Sequence, residues 1–199
     1  MGLPKPKEHW TVEEYLEFEK TSPVRYEYVG GQIYAMAGGT KNHNRIADDL
    51  GSLFNRRFAD GRCEAFTENV KVKVGPELFY YPDVIVTCEP GAETEDENEY
   101  IIENPLLIVE VLSKTTTRID RREKKQEYQH LPGLREYVII EQNRMQVEIH
   151  RHRNVGEEWQ IEIYTDPEEE ARFESIDAKV KLSDIYRRVR FVEKAEETE

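Results

Sequence analysis

Cysteine is nearly absent from these 199 residues: Cys63 and Cys88 are the only two, and no CxxC spacing joins them. That argues against a disulfide-built scaffold or a Cys-ligated metal, and two buried, reduced thiols in a cytoplasmic protein are expected. Long apolar runs are missing as well. No stretch approaches the roughly 20 apolar residues of a membrane span, and residues 1–9 lack the apolar segment of a secretory signal, so no membrane partner is expected. A surplus of cations is the third absence. Lys and Arg number 28 against 41 Asp and Glu, a net charge of −13. At first sight that excludes nucleic acid as a partner.

The distribution of charge removes that exclusion. Residues 89–103 hold seven acids and no Lys or Arg, and residues 157–199 hold fourteen acids against seven bases. The rest of the chain is close to neutral. Within it Lys114, Arg118, Arg121, Arg122, Lys124 and Lys125 crowd into twelve positions. They form a local basic surface, or a plain solvated helix face.

What is present is a strand that carries the wrong residue. In Pro105-Leu-Leu-Ile-Val-Glu-Val-Leu-Ser113 residues 106–112 read as a central strand, apolar on both faces. Glu110 stands in the middle. A buried carboxylate must be protonated, paired or metal-bound, because leaving it ionised and alone costs several kcal/mol or more. Upstream, Tyr81-Pro-Asp83 opens the apolar run 84–86, and Pro82 marks an edge or a bulge because it cannot donate to a ladder. If the strands at 78–88 and 106–112 are neighbours, Asp83 and Glu110 lie side by side. Two carboxylates sharing a site need a cation between them. Mg²⁺ suits such a pair, since it takes one or two carboxylates and leaves positions for water and substrate phosphate. A nearby Lys would orient that water or neutralise charge in the transition state. The alternative is structural: a turn residue at Asp83, and a buried bridge from Glu110 to Lys124 or an Arg.

The remaining elements read simply. Thr11 and Glu14 form a capping-box pattern for a helix over 11–20, and Gly30-Gly31 divides a β-hairpin over 25–36. Glu27 lies on its first strand. A long helix over 40–58 buries Ile46, Leu50, Leu53, Phe54 and Phe58, with His43 in its first turn. His43 there is a surface or capping residue, or a contact for an anionic ligand. Strands are expected at 63–74 and 78–88, and an acidic loop covers 89–104. A helix follows from about Arg118 to Leu131, with N-cap candidates at Thr115–Thr117, and places Asp120, Lys124 and Tyr128 on one face. After it come a hairpin over 135–151, a strand at 159–164, a short strand at 178–182 and a helical turn at 183–186.

Several of these motifs occur together in one known family. Tyr81-Pro-Asp-Val-Ile-Val-Thr-Cys88, Pro105–Ser113, Asp120-x-x-x-Lys124-x-x-x-Tyr128 and Leu134-Arg-Glu-Tyr-Val-Ile-Ile140 resemble a bacterial family of restriction-endonuclease-like proteins in the PD-(D/E)XK nuclease superfamily. Arg25-Tyr-Glu-Tyr-Val-Gly-Gly31, His43-Asn44 and Trp159 agree with it, so the likeness spans roughly residues 11–186. The resemblance implies an α/β (α+β) fold in one domain over 1–199. Its core would be 11–186, a central mixed sheet flanked by helices, with flexible ends at 1–9 and 193–199. It further implies Mg²⁺, or Mn²⁺, held by Asp83, Glu110 and the Val111 carbonyl, with Glu27 as an outer ligand. The lysine expected two residues after Glu110 is Leu112 in this chain. Its role passes to the following helix: Lys124 matches the family position, with Lys125 and Lys114 as alternatives. On this reading the chain is a DNA endonuclease in which Asp83, Glu110 and Lys124 are catalytic. His43, Arg118, Arg121, Arg122 and Lys125 would contact DNA. Cutting both strands with one site per chain implies a homodimer. A nuclease-like module that binds without cleaving is the second reading.

Overall fold

The computed structural model describes residues 8–58, 61, 63–88, 100–113, 119–152 and 157–191. Lys114, the N-cap candidates Thr115–Thr117, Arg118, most of the acidic loop and both chain ends lie outside the described residues.

The N-terminal elements follow from local chemistry. Helix α1 (Val12–Thr21) opens on the capping box: the Thr11 hydroxyl accepts from Glu14 N–H at 3.3 Å, and the Glu14 carboxylate accepts from Thr11 N–H at 2.9 Å. Strands β1 (Tyr26–Val29) and β2 (Gln32–Ala35) pair antiparallel around Gly30 and Gly31. Their φ values of +53° and +87° are ones that only glycine adopts at no steric cost. Helix α2 (Lys41–Arg57) is capped by Thr40, whose hydroxyl accepts from His43 N–H at 3.2 Å.

Two expected strands are each broken in two. In place of one strand over 63–74 there are β3 (Glu64–Thr67) and β4 (Lys71–Gly75). Glu68 and Asn69 between them have φ of +50° and +62°, and across this turn the chain leaves the sheet that holds β3 for the one that holds β4. In place of one strand over 78–88 there are β5 (Leu78–Tyr80) and β6 (Val84–Thr87), interrupted at Tyr81-Pro82-Asp83. Alternation alone does not reveal either break, because both halves keep the same period. After β7 (Ile101–Ile102) and β8 (Leu107–Leu112) come β9 (Glu136–Glu141), β10 (Val147–Arg151) and β11 (Gln160–Tyr164). One sheet has the order β2-β1-β5-β4-β7; the other, β11-β10-β9-β8-β6-β3. The second is mixed, since β8 runs antiparallel to β6 and parallel to β9. It is the central mixed sheet that the resemblance implies. A final antiparallel pair, β12 (Glu170–Phe173) and β13 (Ala178–Lys181), leads into the short helix at Leu182–Ile185. β12 is unexpected from the sequence because its buried Ala171 and Phe173 follow a run of glutamates that reads as solvated.

Strand β8 is central and covered on both faces. Leu107, Val109 and Val111 pack with Ile46, Leu50 and Phe54 of α2. Fully burying each such side chain contributes about 1.5–3 kcal/mol. Ile108 and Leu112, on the other face, pack with Tyr128, Leu131, Leu134 and Tyr137. Alternation puts Glu110 on this second face. The segment expected as one helix from Arg118 to Leu131 is instead a π-helical turn (Ile119–Lys124) running into a short α3 (Lys125–Tyr128). Few apolar side chains bind it to the core, and its inward face is polar: Asp120, Lys124 and Tyr128 are all buried. Insertions of this kind recur at functional sites.

The free thiols expected of Cys63 and Cys88 are corrected: the two form a disulfide. β3 and β6 pair with Glu64 opposite Thr87, so Cys63 and Cys88 are the next pair outward, hidden in sequence by a separation of 25 residues. Closing a loop of that length stabilises by roughly 3 kcal/mol. Reduction should therefore lower Tm by about 6–12 °C. Thermal unfolding with and without dithiothreitol checks this, and an unchanged Tm with both thiols titratable would refute it. Among the described residues no helix is long and apolar enough to cross a membrane.

Candidate active site

The interruption at Tyr81-Pro82-Asp83 is where the chain passes from one sheet to the other, and it creates the site. Pro82 has no N–H to give a ladder, so neither β5 nor β6 continues through it. β6 then pairs with β8 with Val84 opposite Val109, and Asp83 N–H donates to the Val109 carbonyl at 3.1 Å. That register sets Asp83 opposite Glu110 on one face. The Asp83 carboxylate is fixed from two sides. Oδ2 accepts from Val111 N–H at 2.6 Å, and Oδ1 is hydrogen-bonded to His43 Nε2 at 2.8 Å. Tyr81 anchors the crossover, its hydroxyl donating to Glu19 Oε2 at 2.7 Å and its N–H to Glu27 Oε1 at 3.4 Å.

His43 reaches Asp83 because Thr40 holds the first turn of α2 and Gly39 leaves room for the ring. A Cβ on Gly39 would lie 2.8 Å from His43 Cδ2 and 2.5 Å from Asn44 Oδ1. Burial alone would lower the His43 pKa, but the hydrogen bond and charge of Asp83 outweigh it and raise it. The resemblance implies a DNA contact for His43; its partner in the structure is the carboxylate of Asp83.

Glu110 has a fixed cation beside it. The Lys124 ammonium lies 2.8 Å from Glu27 Oε1, 3.2 Å from Glu110 Oε1 and 3.6 Å from Asp120 Oδ1, and 5.1 Å from the centre of the Tyr80 ring. The Tyr128 hydroxyl donates to Glu110 Oε1 at 3.0 Å. Asp120, Lys124 and Tyr128 thus converge as their i, i+4, i+8 spacing predicts. Burial pushes the Glu110 carboxyl well above the usual range; Lys124 opposes this, while Asp120, Asp83 and Glu27 add to it. Burial would lower Lys124, but Glu110, Glu27 and Asp120 together hold its pKa well above the ordinary lysine value. One buried lysine therefore serves several carboxylates. Among the described residues the cluster has negative charge in surplus.

A cavity of about 810 Å³ opens onto this cluster, lined by Glu27, His43, Asp83, Glu110, Val111 and Lys124 among others. Leu112, at the position of the expected lysine, is packed in the core. Arg121 is committed to Glu148 at 2.7 Å and Glu141 at 3.0 Å. Arg122 is exposed and Lys125 half-buried, and neither lines the cavity. Arg118 and Lys114 lie outside the described residues. Two contributors are not legible as such in the sequence. Tyr128 shows its spacing but not its bond to Glu110. Gln142 gives no signal, yet its Nε2 donates to the Leu112 carbonyl at 2.6 Å and its Oε1 accepts from Thr40, joining the end of β8 to the cap of α2.

Among the described residues no three His, Cys, Asp or Glu side chains converge as a ready-made metal cage. Lys124 lies against one Glu110 oxygen and His43 against one Asp83 oxygen. The donor set still fits a hard cation. Every candidate ligand is an oxygen, the carboxylates outnumber their lysine, and Mg²⁺ asks for only one or two carboxylates.

The model of the Uma2 family, described as "Putative restriction endonuclease", matches residues 12–183. Uncharacterized protein slr1290 of Synechocystis sp. (strain ATCC 27184 / PCC 6803 / Kazusa) is 34% identical over 180 residues, 90% of this chain and 92% of that protein. Uncharacterized protein sll1609 of the same organism is 33% identical over 148 residues, 74% and 82% of the two chains. Among solved structures, a protein of Anabaena variabilis ATCC 29413 described as a "putative nuclease" superposes with a TM-score of 0.72, covering 89% of this chain and 98% of its own at 18% identity. At that identity the likeness shows a shared fold.

Proposed function

This chain belongs to the Uma2 family, and from that premise we propose that it is a Mg²⁺-dependent DNA endonuclease hydrolysing phosphodiester bonds. One observation carries the proposal: Asp83 and Glu110 meet at the junction of two sheets, and Lys124 reaches the Glu110 carboxylate from the following helix, all in one cavity. Asp83, Glu110 and the Val111 carbonyl would hold Mg²⁺ or Mn²⁺, with Glu27 outside them. When bound, the ion supplies charge stabilisation at the phosphoryl oxygens and a more acidic water.

The chain's own groups do the rest. Val111 N–H and His43 fix the orientation of Asp83, and Tyr128 fixes Glu110. Lys124, held by Glu27 and Asp120, presents a permanent positive charge where negative charge develops on phosphate. It fills the role that Leu112 leaves vacant. Arg118, Arg122 and Lys125 would contact backbone phosphates, giving salt-sensitive affinity. One site per chain cuts one strand, so cutting both would take two copies.

The reading of a module that binds without cleaving has its own support, because Lys124 already neutralises Glu110. Supercoiled plasmid separates the two. Nicking in Mg²⁺ or Mn²⁺ that stops with EDTA is the expected result. DNA binding without nicking in either ion would make the protein a binding module.

A further inference from the structure

Three large apolar side chains that this protein leaves in solvent, Tyr34 (55% exposed), Met36 (38%) and Ile119 (39%), line the same cavity as Asp83, Glu110 and Lys124. The register of the first hairpin puts two of them there. Glu27 and Tyr34 are directly opposed across β1 and β2, so they share one face, with Cβ atoms about 4.5–5.5 Å apart. Glu27 on that face touches Lys124. Met36 follows two residues after Tyr34, its N–H bonded to the Arg25 carbonyl at 2.9 Å. Ile33, on the opposite face, packs with Tyr15, Tyr28 and Phe79. The hairpin thus gives its Ile to the core and its Tyr to the cavity. Ile119 arrives from a different element, the start of the π-helical turn.

We infer that Tyr34, flanked by Met36 and Ile119, is a base-stacking subsite, and that the strand cut at the carboxylates is unpaired there. The substrate would be single-stranded DNA or a nucleotide turned out of a duplex. The inference rests on the nuclease reading and deepens it by naming the substrate class. In a duplex the faces of the bases are covered by their neighbours, and only their edges are displayed in the grooves. An aromatic and aliphatic wall beside a phosphate site then has no matching surface. An unpaired base offers its π-face, and stacking on an aromatic side chain accepts any base. A cavity of about 810 Å³ lies within the range that encloses a small organic ligand.

The test is binding of short oligonucleotides carrying 2-aminopurine to the Glu110→Gln protein in Mg²⁺: a single strand, its blunt duplex, and the same duplex with one bulged base. The single strand and the bulge should bind about 10-fold tighter than the blunt duplex. Tyr34→Ala should weaken them by about 10-fold, and Tyr34→Phe by no more than about twofold. Tyr34 is exposed, so circular dichroism should show both variants folded. Equal or tighter binding of the blunt duplex, or single-strand affinity indifferent to Tyr34→Ala, would overturn the subsite. If Tyr34-dependent binding holds while the wild type cleaves nothing in Mg²⁺ or Mn²⁺, the nuclease reading falls and the subsite stands. Cleavage that ignores Tyr34 does the reverse. No oligonucleotide bound by the Glu110→Gln protein removes the subsite, and nicking by the wild type then decides the nuclease reading by itself.

Discussion

Replacing Glu110 by Gln is expected to lower Mg²⁺-dependent nicking by about 10³-fold or more, the scale of losing a principal stabiliser of transition-state charge. The same change should leave Tm no lower than that of the wild type. The two halves of this prediction have one cause. Glu110 is buried among other carboxylates, and burial holds its pKa well above the usual carboxylate range. A group whose folded pKa is raised contributes its stability below its unfolded pKa, about 4.5, and loses it as pH rises toward the folded value. Gln carries no charge at any pH, so the variant should gain on the wild type as pH increases from 5 to 8. Lys124 keeps Glu27 and Asp120 as partners, and the amide oxygen can still accept from Tyr128. If Glu110 were a structural half of a salt bridge, the outcome would be opposite. Removing one partner of a buried pair costs about 3–5 kcal/mol, and Tm would fall. A plasmid-nicking assay beside a thermal melt at two pH values decides between them. Persistent metal-dependent nicking would take Glu110 out of the mechanism.

How much of this site the sequence displays depends on the length scale of each signal. Glu110 is visible because the residues around it in the strand are apolar and it is not. Its pairing with Asp83 is legible once the two strands are assumed to be neighbours, since an antiparallel register fixes which residues oppose. Asp120, Lys124 and Tyr128 follow from helical spacing, and that relation survives even though the turn is π-helical. The breaks in the strands do not show. Glu68 and Asn69 bend the chain into left-handed conformations that carry no glycine signature, and Pro82 announces an irregularity without saying that two sheets meet there. The Cys63–Cys88 bond, the Arg121 ion pairs and the Gln142 bridge are long-range contacts made by strand order. Local pattern contains no information about them.

Lys124 yields the prediction that separates counter-charge from catalyst. Lys124→Met should destabilise the protein by roughly 3–5 kcal/mol at pH 7, because Glu27, Glu110 and Asp120 lose an ammonium that they share. The sign of its pH dependence follows from the same surplus. Without the lysine these carboxyls are held above their unfolded pKa, so the folded state binds more protons than the unfolded state, and stability falls as pH rises. The deficit should therefore shrink from pH 7 toward pH 5. A divalent cation offers a second remedy. Mg²⁺ at millimolar concentration should raise the Tm of Lys124→Met more than that of the wild type, since in the wild type the ammonium already occupies Glu110 Oε1. Restored stability without restored nicking would then identify the lysine as part of the chemistry, because the ion replaces its charge but not its position beside phosphate. A Lys124→Met protein as stable as the wild type at pH 7, or one whose deficit ignores both pH and Mg²⁺, would show that these carboxylates are not held together by Lys124.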